Sequence, residues 1–119
     1  MVKIGIMLNA APFQNQSHYT AVKIAEAALD KGHEVTIFLY DEAVYSPMEA
    51  QEFPEWERLP KDDFKILMEK GAEIIACGLC VDLRGLEEGK GYIKEVTVGG
   101  LADFANVVSL VDKIITFWG

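Results

Sequence analysis

Glu73-Ile74-Ile75-Ala76-Cys77-Gly78-Leu79-Cys80-Val81-Asp82-Leu83-Arg84-Gly85 is the stretch on which the fold turns. Its first half is an aliphatic run without polar alternation, the signature of a strand covered on both faces. Its second half changes period, with Leu79, Leu83 and then Leu86 forming a short helical stripe. A buried strand running straight into a helix is the repeating unit of a parallel sheet, and the rest of the chain repeats it.

Upstream, Val2 to Leu8 and Val35 to Tyr40 are two further β-rich runs. Between them, from His18, the residues Ala21, Val22, Ala25, Ala28 and Leu29 recur at helical spacing, with Lys23, Glu26 and Asp30 opposite. Asn15 or Ser17 can cap that helix, and Gly32 stops it. A second helix starts at Pro60, carries Asp62 and Asp63 in its first turn, aligns Phe64, Leu67 and Met68, and ends at Lys70-Gly71. Downstream, Glu95 to Val98 reads as a fourth strand. Gly99-Gly100 then opens a helix with Leu101, Phe104, Ala105, Val108 and Val111 on one side, and Lys113 to Trp118 is a fifth strand. Residues 41 to 60, with Pro47, Pro54 and Pro60 among many acids, read as a long surface loop. The expected architecture is a single three-layer α/β/α domain over residues 1–119, with a five-stranded parallel sheet.

The chain has 119 residues, 11 basic and 19 acidic side chains, and two cysteines. Its net charge of −8 argues against nucleic acid or an anionic membrane as partner. No apolar run approaches the ~18 residues of a membrane span, and the start at Met1 does not read as a signal peptide. These features predict a soluble cytoplasmic domain. Counted with glycine, the apolar share exceeds the usual ~45–50%, which in so small a chain points to a homo-oligomer. Between Asp41 and Asp63, eight acids meet only Arg58 and Lys61, a local balance of −6 that suggests a basic protein partner. Phe53 and Trp56 lie in that segment as candidate docking residues.

In open parallel sheets the chemistry gathers beyond the carboxyl ends of the strands. That rule selects Asn9, Tyr40, Asp41, Cys77, Gly78, Gly99, Gly100 and Trp118. Cys77 is the most reactive of them. At a helix start, unpaired amides can draw a thiol from its usual pKa of ~8.5 towards neutrality. Cys80 follows one turn on. The alternative for both is a small buried core residue. His18, after the first strand's loop, is a candidate proton donor or thiolate partner; its alternative is a solvent-facing first-turn histidine. Gly99-Gly100 could receive an anion or persulfide on backbone amides. A metal site is not expected, because His18 and His33 do not space as zinc ligands with a single C-x-x-C. Residues 9 to 17 hold no glycine, so the nucleotide-binding loops are missing after the first strand, and no cofactor is expected.

Several segments resemble the DsrE/DsrF-like family: Lys3-Ile4-Gly5-Ile6, Gly32-His33-Glu34-Val35, Cys77 through Gly85, Val98 through Phe104, and Asp112 through Phe117. The resemblance spans essentially the whole chain. It implies a five-stranded parallel sheet between helices and association into dimers, trimers or hexamers. In its sulfur-relay members a cysteine ending the third strand accepts sulfane sulfur as a persulfide and passes it to a partner protein. Counting back from Arg84-Gly85, that cysteine corresponds to Cys77, and small members often keep one at the position of Cys80. The mechanism so implied is attack of Cys77 on a donor's sulfur, support of the persulfide by the amides of residues 79 to 81, and removal by a partner cysteine. Two other readings stand beside it: a non-catalytic binding module, and a C-x-x-C dithiol redox protein.

Overall fold

The computed structural model describes residues 1–119. Its elements run β1 (Lys3–Leu8), α1 (Ser17–Asp30), β2 (Glu34–Leu39), a 3-10 turn (Asp41–Tyr45), α2 (Pro60–Glu69), β3 (Glu73–Cys77), α3 (Gly78–Leu83), β4 (Thr97–Gly99), α4 (Leu101–Leu110) and β5 (Lys113–Phe117). The five strands form one parallel sheet in the order β4-β3-β2-β1-β5. Strands β1 to β4 progress one way across the sheet, and the connection from β4 to β5 returns across it to the far side of β1. Right-handed crossovers therefore place α1 and α2 on one face and α4 on the opposite face.

The central strands are covered on both sides. On β2, Ile37, Phe38 and Leu39 are all buried, so both pleat directions meet protein. Phe38 packs against Phe104 of α4 with ring centroids 4.7 Å apart and the rings tilted by 37°. A side chain at Gly5 of β1 would meet Val111 at 3.2 Å, so the end of α4 lies directly over β1. On the other face α1 buries His18, Ala21, Val22, Ala25 and Ala28, and α2 buries Phe64 and Leu67. Asn15 accepts the Ser17 amide at the start of α1, as its side chain suggests.

Four local expectations are corrected. The short stripe after β3 faces outward: Leu79 and Leu83 are exposed while Cys80 and Val81 are buried. Cys77 is the N-cap of α3, which fixes the helix phase one position away from the leucines. On α4 the inward residue is Val107, flanked by the half-buried Phe104 and Val111, while Leu101, Ala105 and Val108 are exposed. That helix is apolar on most of its circumference, so periodicity alone does not choose a face. The fourth strand is Thr97–Gly99, displaced because Glu95 adopts a left-handed turn conformation. Finally, the acidic segment is not loop throughout. Its first part is the 3-10 turn, in which Ala43 and Val44 are buried, followed by buried Ser46 and Pro47 and a bridge between Met48 and Tyr92.

Candidate functional site: a buried thiol pair at the strand ends

The sheet register pairs Leu8 with Leu39 and Phe117, Leu39 with Ala76, and Cys77 with Gly99. One residue further along, Asn9, Tyr40 and Trp118 come level with Cys77 and Gly99. The strand-end rule thus selects residues that share one rim, although up to 109 positions separate them in sequence.

Cys77 and Cys80 are both free thiols and both buried. The Cys77 sulfur accepts the Cys80 backbone amide at 3.4 Å, the contact that caps α3. The Cys80 sulfur accepts the Asp41 amide at 3.3 Å. Burial, reinforced by the neighbouring Cys77 thiol, pushes the Cys80 thiol up to about 11, against the opposing pull of the Asp41 amide. Cys80 is therefore a protonated thiol at neutral pH.

The 3-10 turn acts as a strap over the pair. Asp41 opens it in a left-handed conformation at φ 51°, and its carboxylate accepts the Asn9 side-chain amide at 3.2 Å. Glu42, next in the strap, pairs with Arg84, whose Nη1 donates to the Cys80 carbonyl at 3.1 Å. Hydrogen bonding to Arg84 holds the Glu42 carboxyl below its ordinary range. Two phenols flank the thiols. The Tyr40 hydroxyl is made harder to ionise chiefly by the nearby Cys80 and then Cys77. Burial does the same to Tyr92, followed by the same two sulfurs. The site thus adds the half-buried Tyr40, Asp41, Arg84 and Tyr92 and the exposed Glu42 to the cysteines. The strand-end rule reaches Tyr40 and Asp41 without giving them a role. The Glu42–Arg84 pair joins residues 42 apart and has no local signal.

The other expected residues lie as follows. Asn9 meets Asp41, and its Oδ1 is buried without a partner. Gly78 abuts Gly99, whose carbonyl would lie 3.4 Å from a Cβ at Gly78. Leu79 stands exposed beside the pair. The Gly100 amide is already taken by Asp103 Oδ2 at 2.7 Å, and a side chain at Gly99 would strike that carboxylate; these two glycines serve the cap of α4. Instead of facing the rim or solvent, His18 is wholly buried between α1 and α2. Its ring lies on Phe64, with Nε2 3.6 Å from Asp63, which Arg58 holds at 2.7 Å. Phe53 and Trp56 meet edge to face at 5.4 Å, and Trp56 also lies 6.1 Å from the Phe13 ring. No group of three or more His, Cys, Asp or Glu side chains converges as a metal site.

A five-stranded parallel sheet between helices, with its candidate residues gathered at the strand ends, places the chain among the open α/β proteins. The sequence profile of the DsrE/DsrF-like family matches residues 2–117, and the chain belongs to that family. Among its relatives, the "Uncharacterized protein MK0008" of Methanopyrus kandleri is 34% identical over 117 residues, covering 96% of this chain and 93% of the relative. The "Putative sulfurtransferase DsrE" of Allochromatium vinosum is 25% identical over 128 residues, covering 98% of each chain. The crystal structure of Escherichia coli YchN superposes with a TM-score of 0.89 at 27% identity, covering 98% of this chain and 100% of YchN. The five-stranded parallel architecture is therefore that of the family, and a sulfur-relay-like role is supported at family level. No helix is long and apolar enough to cross a membrane.

Proposed function

We propose that this protein carries sulfane sulfur as a persulfide on Cys77, receiving it from a donor protein or polysulfide and yielding it to an acceptor thiol. The supporting observation is the place of the two thiols in the fold. Cys77 ends β3, where its sulfur receives the Cys80 amide and caps α3, whereas Cys80 lies within the helix and burial pushes its thiol up to about 11. In the forward step the Cys77 thiolate attacks the outer sulfur of a donor persulfide. A new S–S bond forms, the donor's S–S bond breaks, and the donor thiolate leaves to take up a proton. In the return step an acceptor thiolate attacks that outer sulfur and Cys77 leaves as thiolate. No net oxidation occurs. The competing reaction is attack by Cys80 on the Cys77 sulfur, which would expel hydrosulfide and leave a disulfide. Two pKa units above the ordinary thiol leave ~100-fold less Cys80 thiolate for that attack. Entry of the donor requires the strap to lift, because the Cys77 thiol is only 1% exposed.

The reading includes self-association and a reducing compartment. Leu101, Val108 and Leu110 of α4 and Ile114 and Trp118 at the β5 edge leave apolar surface that a second copy would cover. Two free, adjacent thiols suit the cytoplasm. A dithiol redox role is the second reading, favoured by the adjacency of the two free thiols across the first turn of α3, where the Cys80 amide meets the Cys77 sulfur at 3.4 Å. Intact mass after exposure to polysulfide, and separately to an oxidant, distinguishes them. A gain of one sulfur atom, lost in Cys77→Ser, is the carrier's result. Loss of two hydrogens alone is the redox result, and no change in either arm removes both.

A further inference from the structure

Phe13, Phe53 and Trp56 come from two distant loops and each keeps close to half its surface in water, at 50%, 46% and 49%. They are organised rather than scattered: the Phe13 and Trp56 ring centroids lie 6.1 Å apart, and Phe53 meets Trp56 at 5.4 Å and 88°. Together with Gln51, Glu52 and Leu59 they line an apolar groove of about 370 Å³. Phe13 and Gln51 also border a second depression of about 630 Å³, walled by Pro12, Tyr45 and Met48 and reaching Glu42. Phe13 holds its ring there from a left-handed backbone at φ 74°, a conformation that a bulky residue rarely adopts. Neither burial nor a hydrogen bond of its side chain accounts for that strain.

The electrostatics of the rim select the occupant. Elsewhere in the segment Glu42 pairs with Arg84, Glu49 with Lys61 and Lys65, and Asp63 with Arg58, while Asp41 and Asp62 accept amide hydrogen bonds from Asn9 and Leu59. Glu52, Glu55 and Glu57, which bracket Phe53 and Trp56, pair with no cation. A second copy of this chain fits poorly, since its charge is −8 and its equivalent surface carries the same uncompensated acids. Three aromatic side chains with Glu52 on the groove wall, and Glu55 and Glu57 flanking Trp56 in sequence, match an aliphatic side chain flanked by Lys or Arg, whose charges meet the acids and whose stems and cations lie on the rings.

We infer that this groove docks a basic segment of another protein, with one apolar anchor seated among Phe13, Phe53 and Trp56 and flanking cations on Glu52, Glu55 and Glu57. The docked segment extends along the second depression against the outer side of Glu42 and Tyr45, the strap whose inner side covers Cys80. Docking itself needs no thiol chemistry, so it stands or falls separately from the persulfide reading.

The test uses the full chain with both cysteines changed to serine. The probe is a blocked peptide with one central leucine flanked by lysines. Its controls carry glutamate for lysine, or serine for leucine. Binding is followed by calorimetry, and by Trp56 fluorescence in a Trp118→Phe background. The expected result is saturable binding at least tenfold tighter than either control and weakened by added salt. It should also weaken at least fivefold both in Trp56→Ala and in the Glu52/Glu55/Glu57→Gln triple variant, whose folding is checked by circular dichroism. No saturable binding to millimolar peptide, equal binding of the glutamate control, or full binding by the triple variant would overturn the proposal. So would loss of self-association in Trp56→Ala, which would assign the groove to a second copy.

Discussion

Raising the pH through the titration of Cys80 should destabilise this protein in a way that Cys80→Ala does not share. Burial lifts the Cys80 thiol from 9.0 to about 11. The folded state therefore holds the proton over a range in which the unfolded chain has released it. Where the native state binds more protons, stability falls as pH rises. The contribution is fully present below pH 9 and is lost as pH climbs through 11. Two units correspond to ~2–3 kcal/mol at 1.36 kcal/mol per unit. Urea unfolding of the wild type and of Cys80→Ala, at steps from pH 7 to 11, isolates the effect as the difference between two curves. Groups remote from the site titrate alike in both proteins and cancel, while Tyr40 and Tyr92, whose ionisation Cys80 opposes, add to the difference with the same sign. The variant begins less stable because it loses a buried sulfur, yet the gap should narrow or invert by pH 11. Curves that stay parallel would refute the argument that Cys80 is held protonated, and with it the protection of a persulfide on Cys77.

Three further outcomes follow from the packing. Asn9→Ala removes the amide that holds the Asp41 carboxylate; at about 1 kcal/mol for such a bond, a thiol-reactive reagent should label the cysteines roughly fivefold faster. Phe64→Ala empties a fully buried site beneath His18 and should lower unfolding free energy by ~3–5 kcal/mol, read from the urea midpoint. The paired change Val108→Glu and Leu110→Glu charges exposed positions of α4; light scattering should show a smaller particle with unchanged circular dichroism.

The layered fold was legible because β1, β2 and β3 are aliphatic runs separated by one well-patterned helix each. Cys77 was legible as well, since a strand end followed by a glycine and a helix fixes where its thiol must stand. What escaped the sequence are contacts made across the fold. His18 sits on α1's inner face, and only the docking of α2 brings Phe64 and Asp63 against it and closes it off from the rim. The strap is closed by an amide and a sulfur 39 residues apart, with no pattern to announce it. Leu79 and Leu83 misled for a physical reason: a six-residue helix is phased by its cap on Cys77, not by its own hydrophobic stripe. On α4 there was too much apolar surface to choose from, and the surplus is what the proposed self-association would cover.

The central claim is that sulfur resides on Cys77, and one measurement locates it. The protein is loaded with polysulfide, freed of excess reagent, alkylated and digested, and the peptide carrying both cysteines is fragmented by mass spectrometry. The additional sulfur is expected on Cys77, in the wild type and undiminished in Cys80→Ser. Sulfur found on Cys80, or retained in full by Cys77→Ser, would contradict it.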